Sequence, residues 1–592
     1  MRFDSDVRRK ACAAAVFIMI VTWVSHLVYT KGYFSVYALC AALSLVCLCD
    51  NYYHRRSTGK LTLLLNVILS SLLSFATTLG NYDIFQRLRN MEEISYGTNQ
   101  FLNVFEAVLT FFFGIAVFYQ IFLCMASRFP VTCGEEEKLS TGKHPYRVFF
   151  SVFGSLSAIY LIYLFFVVYP GNVTSDSIWQ ISMIQRNDYT NHHPYWHTTA
   201  IRLCLELGNS MFGNLNAGAA VYSFFQSLLM AATVGYTVVT LYQYRLPKFW
   251  VLITYACFAV LPHHITYSAT VWKDVPFGIA VLALVVAMFR IMRGVGKSKL
   301  CNFVLFVVAG IGTCIMRTNG WYAMVAAFVI LLLFFRKKCS SMLLPWFGVL
   351  VIGWVLTNPV LAYLGIYNEN MLEGLSVPLQ QVSRVIANGG ELTDEEIQLL
   401  STIVEIDLVA EEYTEECCDP IKELIRDMDH DYDDLRENKA AFLKLWIDIG
   451  MRYPWEYVEA WVEETKGYWN GGYDYYIYAQ YVYPNKYGIH LVEQNNPIHD
   501  LVKAYLTFTR ETVLFEPIQS IGLNVWVLSM ICFLNMVWGR KEFLLTMPVI
   551  AVVFTLWLTT PVFSEFRYAY CVFTTLPFIL PVSLYKKAGE ED

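Results

Sequence analysis

The sequence predicts an all-α polytopic membrane protein, and three observations carry that prediction. Of its 592 residues, 56% are hydrophobic and 16% aromatic, while only 16% are charged; a soluble core cannot absorb that much apolar surface. The apolar residues come in blocks of about 17–25, the length that crosses ~30 Å of hydrocarbon at 1.5 Å per residue. Lys and Arg cluster in alternate inter-block loops, the pattern that marks the cytoplasmic side.

In chain order the blocks predict about fourteen spans, at approximately 11–30, 33–50, 61–80, 101–125, 148–169, 217–242, 249–266, 274–293, 300–316, 320–335, 342–365, 522–538, 542–560 and 567–585. The first follows Arg2, Arg8, Arg9 and Lys10. It is too long for a signal-peptide core and has no clean small-residue cleavage site, so it reads as a retained span. Basic loops at Arg55, Arg56 and Lys60, at Arg128 to Arg147, at Arg245 and Lys248, at Arg290 to Lys299, at Arg336 to Lys338, at Arg540 and Lys541, and at Lys586 and Lys587 all become cytoplasmic together. Both termini then face the cytoplasm. The loop at 80–100 mixes Arg87 and Arg89 with Asp83, Glu92 and Glu93 and carries the weakest signal.

This divides the chain into an N-terminal four-span extension (1–147), a membrane module with a long outer loop at 170–216 (148–365), an outer domain (366–515) and a C-terminal three-span segment (516–592). The outer domain holds 29 of the 49 acidic and 11 of the 43 basic residues, a net −18 against +12 elsewhere. Apolar residues at three- and four-residue spacing predict helices over Thr393 to Glu412 and Asn438 to Ile449. The run from Tyr453 to Tyr487, with Trp455, Trp461, Trp469, Tyr473, Tyr475, Tyr476 and Tyr478, suits either a sugar platform or a membrane interface. Most of the fifteen cysteines lie in apolar blocks, and no disulfide framework or zinc spacing emerges. Adjacent Cys417 and Cys418 leave redox or metal binding open as a minor reading.

The polar groups next to span ends are the candidates for chemistry. In the first outer loop Pro170-Gly171 turns the chain. Ser175 and Asp176 then stand at an N-cap position ahead of an amphipathic stretch from Ile178 to Ile184. Capping would explain Asp176, but Ser177, Gln180, Asn191, His192, His193 and His197 supply more hydrogen-bonding capacity than a cap uses. A second amphipathic helix, His197 to Met211, would lie along the membrane surface. Lys273-Asp274, Arg317-Thr318-Asn319-Gly320 and Glu565-Phe566-Arg567-Tyr568 occur at other outer span ends, where positive charge is depleted. Local ion pairs, Lys273 with Asp274 and Glu565 with Arg567, are one reading; a clamp of Lys273, Arg317 and Arg567 on a phosphate head group is the other. Charge within the spans is nearly absent, Glu106 excepted, which argues against a transporter and favours chemistry at the outer interface.

With these positions in hand, the sequence resembles the GT-C superfamily of integral-membrane glycosyltransferases, and more closely a bacterial family of large multi-span proteins assigned to that fold. The shared feature is an order of parts over approximately 148–585: a span, a long outer loop with an early acidic residue and two surface helices, a bundle with short outer loops, and an outer soluble portion. His193-Pro194 resembles the His-Pro-Pro element of protein and lipid A sugar transferases, with Tyr195 replacing the second proline. Glu565-Phe566-Arg567-Tyr568 resembles the Arg-Tyr step into a late span. Asp176-Ser177, Trp272-Lys273-Asp274, Arg317-Thr318-Asn319-Gly320 and Ser376-Val377-Pro378-Leu379-Gln380-Gln381 look like marks of the narrower family.

The resemblance implies an inverting enzyme that transfers a sugar from a polyprenyl-phosphate donor to a cell-envelope glycan, lipid or protein. Asp176 matches its catalytic base, with His192 and His193 orienting base or acceptor. Ser177, Gln180, Asp274, Asn319 and Glu565 would support the site, and Trp455, Trp461, Trp469 and Tyr473 would form a platform for sugar or acceptor. No second carboxylate adjoins Asp176, which leaves a divalent metal open but unsupported; no other cofactor is assigned, and no nucleic-acid partner is expected. The competing readings are a lipid-linked glycan flippase or polymerase, and a non-catalytic receptor or scaffold that binds wall polymer.

Overall fold

The computed structural model describes residues 5–31, 34–53, 59–81, 97–133, 143–296, 298–366, 370–427, 438–473 and 481–587, and among these four helices come first. The mixed-charge residues Asp83, Arg87, Arg89, Glu92 and Glu93, the basic residues Arg2, Arg55, Arg56 and Lys138, and the aromatic residues Tyr475, Tyr476 and Tyr478 lie outside the described residues. The opening helices are α1 (Ser5–Lys31), α2 (Phe34–Tyr53), α3 (Lys60–Asn81) and α4 (Gly97–Arg128). Small polar residues on α3 let it lie close to α4. Asn66 and Ser74 donate to the Tyr119 and Phe111 carbonyls of α4, and Thr77 returns its hydroxyl to Leu73 of its own helix. Trp23, Tyr37 and Phe118 fill the centre edge to face.

Helix α5 (Pro145–Phe166) leads to the outer loop, which holds α6 (Ser175–Arg186) and α7 (Tyr195–Phe212) where the amphipathic patterns lie. Helix α7 is held against α8 (Leu215–Tyr244) through Gly208 and Gly218, a backbone approach with no room for a Cβ on either side. The expected single span at 249–266 is broken: α9 (Lys248–Val260) and α10 (Pro262–Ser268) meet at 57°. Pro262 lacks an N–H and its ring collides with the preceding turn, so the helix cannot run straight through it. The centre of the bundle is α11 (Asp274–Arg293), packed among α8, α12 (Lys299–Met316) and the last helix. Helices α13 (Thr318–Phe334) and α14 (Arg336–Thr357) complete this part.

The outer domain is built around α15 (Ser376–Ala387). The predicted helix from Thr393 to Glu412 is two helices, α16 (Asp394–Ser401) and Ile406–Glu412, because the chain turns over 402–405. Thr393 and Glu396 form a capping box at the start of α16. Helices α17 (Asp419–Asp427), α18 (Lys439–Arg452) and α19 (Pro454–Trp469) follow, and α19 packs on α15 from the membrane side. After α20 (Pro497–Glu511) the chain returns through α21 (Ile521–Val537), α22 (Phe543–Thr559), a 3-10 turn at Phe566–Ala569 and α23 (Tyr570–Leu584). A short parallel pair, Val131–Cys133 with Tyr585–Lys587, ties the end of the opening four helices to the end of the chain.

The protein is an all-α polytopic membrane protein. Among the described residues nine helices are long and apolar enough to cross a membrane, or eleven if each of two bent pairs is one span. Three shorter apolar helices lie at Lys10–Ser25, Thr318–Phe334 and Phe543–Thr559.

Candidate functional site

Three backbone stitches decide where Asp176 goes. Gly171, at φ 118°, reverses the chain after α5. Asn172 then pairs with 269–271 on one side, its N–H donating to Ala269 and its carbonyl accepting from Val271. Val173 pairs with 481–483 on the other. Asn172 and Val173 are thus clamped between the end of α10 and the outer domain. Helix α6 begins there, and its cap is Thr174 closing on Ser177, not Ser175 or Asp176. Freed from capping, Asp176 sits in the first turn, where the helix dipole favours a carboxylate.

The pairing of 172 with 269–271 also carries Lys273 to the same spot. Asp176, His192, His193, Lys273, Arg317 and Arg567, drawn from five separate stretches of chain, line one cavity of about 540 Å³. Asn319, Tyr322 and Tyr568 line it as well, with Thr555, Thr559 and Thr560 at the end of α22. The wall away from the bundle comes from the outer domain through Glu373, Asp419, Glu423 and Arg426.

Of the two local pairs expected, Glu565 with Arg567 forms and Lys273 with Asp274 does not. Arg567 bonds Asp176 and, at 2.9 Å, Glu565. Its guanidinium lies 5.0 Å from the ring centroids of both Trp272 and Tyr568. Asp274 pairs not with its neighbour Lys273 but with Arg317, at 2.8 Å. Arg317 also donates to the Tyr568 carbonyl and rests over that ring. Helix geometry explains the exchange: Asp274 is the first residue of α11 and is fully buried, so its side chain turns inward to α12. Lys273 is left with no carboxylate within salt-bridge distance among the described residues; its ammonium lies 3.0 Å from His193 Nδ1.

Burial acts against the charge on Asp176, but Arg567 first, then His193 and Lys273, outweigh it and hold the carboxyl far below the usual range. Burial also lowers Lys273, with Asp176 and Asp274 opposing it. His192 is pushed down to about 4, by burial and then by Lys273, against the pull of Glu373. His193 falls well below its ordinary value for the same first two reasons. Both imidazoles are therefore neutral at pH 7, able to accept a proton or a hydrogen bond. Glu373 stands 3.6 Å from His192 and bonds Lys422 and Arg426 at 2.7 and 2.8 Å. Burial raises its carboxyl, but Lys422, His192 and Arg426 together bring it down to about 2.

Several expected site residues are elsewhere. Ser177 donates to the Val271 carbonyl, and Gln180 bonds His197 and Thr198; both are buried beneath α6 and brace it. His197 completes that brace through Tyr222 Oη at 2.7 Å. Asn319 lines the cavity and donates to Thr555, while Asp274 and Glu565 stand behind the cations. The aromatic platform does not form. Trp461 stacks on Trp469 and donates to the Trp557 carbonyl; Tyr473 donates to Gly80 of α3. These side chains pack α19 onto its neighbours, and Trp455 is exposed away from the cavity. Cys417 and Cys418 are free thiols, and Cys418 donates to the Ser376 carbonyl. Gln380 and Gln381 bind carbonyls inside the outer domain, so that string is structural. The outer-domain wall was not foreseen: Glu373, Asp419, Glu423 and Arg426 stand among many similar charges in the sequence. Among the described residues no group of three or more His, Cys, Asp or Glu is placed to hold a metal.

A model of a protein family described as a family of unknown function (DUF6020) matches residues 184–591. The chain belongs to that family. The match includes His192, His193, Lys273, Arg317 and Arg567, and it begins eight residues after Asp176. No curated protein and no solved structure matches the chain.

Proposed function

We propose that this DUF6020 protein is a GT-C-like glycosyltransferase of fourteen spans, with both termini cytoplasmic, that moves a sugar from a polyprenyl-phosphate donor to a cell-envelope acceptor on the outer face. The observation that carries the reading is the convergence of one carboxylate, two neutral imidazoles and three cations on a single cavity at helix ends. In this reading Asp176 takes the proton of the acceptor hydroxyl as that oxygen attacks the anomeric carbon from the face opposite the phosphate. The bond from carbon to phosphate oxygen breaks, and the prenyl phosphate leaves with the electron pair. Lys273, Arg317 and Arg567 lie where that charge grows, and fixed positive groups there stabilise the transition state.

The pairing of Asp176 with Arg567 gives the donor a second role. A carboxylate held by a guanidinium is a weak base; a phosphate that draws Arg567 toward itself restores the basicity. Base strength then follows donor occupancy, which protects against proton transfer in an empty site. The test is transfer from a panel of short-chain prenyl-phosphate hexoses and pentoses by the purified full chain in lipid nanodiscs, with cell-envelope fractions as acceptors. Asp176→Asn keeps the shape and removes the basicity, and the rate should drop by about 10²–10⁴. A variant that transfers at near the wild-type rate would dismiss Asp176 as the base.

A further inference from the structure

A smaller recess of about 150 Å³ opens beside the cation cavity and shares Pro194, Arg317, Thr318 and Tyr322 with it. It lies between the outer ends of α12, α13 and α14 and the start of α7. Its walls include three indoles, Trp196, Trp321 and Trp354, and the phenol of Tyr322. Trp196 and Trp321 donate their N–H groups to the Leu356 and Leu350 carbonyls, which fixes the rings and leaves their faces as the available surface. Two amides interrupt the aromatic lining. Asn191 uses its oxygen to cap α7, through the Tyr195 N–H, and its NH₂ group has no partner among the described residues. Asn358 uses its NH₂ group on Trp354 and Thr357, and its oxygen likewise has none.

We infer that this recess is the glycosyl subsite: it takes the sugar ring of the donor while the neighbouring cations hold the phosphate. The inference rests on the transferase reading above and names where its substrate is recognised. Aromatic faces suit the apolar faces of a sugar ring, and the spare amide donor and acceptor suit its hydroxyls. A prenyl chain in the same place would leave both amide groups unpaired, at a desolvation cost. The shared Arg317 sets the distance, since a glycosyl phosphate needs ring and anion in adjoining compartments. This replaces the platform expected in the outer domain with one built from span ends.

The experiment measures affinity of the full chain in detergent for two probes of equal chain length, a prenyl phosphate and a prenyl-phosphate hexose. Variants are Trp354→Leu and Asn358→Ala, at exposed positions that line the recess and not the cation cavity, with unfolding temperature checked in parallel. The expected result is that each variant weakens the hexose-bearing probe on the order of tenfold and leaves the sugar-free probe unchanged. Equal weakening of both probes would assign the recess to the prenyl chain and overturn the proposal. No change in either would remove the recess from ligand binding. Wild-type protein that binds neither probe would refute the transferase reading itself, and the subsite with it.

Discussion

Arg317 and Lys273 both line the cavity, yet their removal should have different consequences. Arg317 is the partner of Asp274, whose carboxylate is fully buried at the start of α11. Arg317→Ala would strand that charge, and breaking a buried pair by removing one member costs about 3–5 kcal/mol. Its unfolding temperature in detergent should therefore fall sharply. Among the described residues Lys273 has only His193 as a hydrogen-bond partner and no carboxylate in salt-bridge contact, although its charge helps hold Asp176 ionised. Lys273→Met should leave the unfolding temperature almost unchanged and lower prenyl-phosphate affinity, with a rate loss on the order of 10²–10³. If Lys273→Met unfolds early and the folded remainder binds prenyl phosphate normally, the ammonium is structural and the clamp reading fails.

At the scale of elements, a buried cation ties α15 to α19 in the outer domain. Arg384 on α15 is 1% exposed and reaches Glu456 and Glu459 on α19 at 3.1 and 2.8 Å, and Glu415 at 3.3 Å. The acidic excess of this domain is thus in part inward: two of its carboxylates are buried against a single guanidinium rather than displayed to solvent. Helix α19 packs on α15 and, through Trp461 and Trp469, on the bundle, so this cation links the domain to the membrane part. Arg384→Met would fill a similar volume while removing the guanidinium from both buried glutamates. A loss of about 3–5 kcal/mol is expected, read as rapid limited proteolysis within 376–469 under conditions where the wild type resists. Unaltered proteolysis would show that the glutamates relax to solvent and that α15 is held by its apolar face alone.

At the scale of the whole molecule, the opening four helices are joined to the rest at both ends. On one side Asn81 donates to Tyr37, Tyr37 donates to Asn470 just after α19, and Tyr473 donates to Gly80. On the other, Val131–Cys133 pairs with Tyr585–Lys587. The four helices therefore brace the outer domain just after α19. The charge-derived orientation predicts that a membrane-impermeant thiol reagent added to intact cells labels Lys486→Cys, an exposed outer-domain position, and does not label exposed Cys301 until the cells are permeabilised. Labelling of Cys301 from outside would invert the topology and move the cavity to the cytoplasmic face.

What the sequence determined by itself is whatever depends on local solvent preference. Apolar blocks of spanning length, basic loops, the amphipathic segments of the outer loop and the acidic outer domain are all read from neighbours in the chain, because each reports the medium around a short stretch. The candidate residues Asp176, His193, Lys273, Arg317 and Arg567 were legible for a related reason, being polar groups at span ends where such groups carry a cost. Who pairs with whom was not. Asp274 lies next to Lys273 in sequence and bonds Arg317; Arg567 is 391 positions from Asp176 and bonds it. Trp461 and Trp469 in the aromatic run of the outer domain looked like surface and pack into a seam, whereas the indoles beside the cations are scattered over Trp196, Trp321 and Trp354. Those outcomes are set by which side chains the helix directions turn inward and by backbone pairing of remote segments such as 172–173 with 269–271 and 481–483. Only the packed bundle fixes these, since a one-residue rotation along a helix changes a partner without changing the composition that the sequence displays.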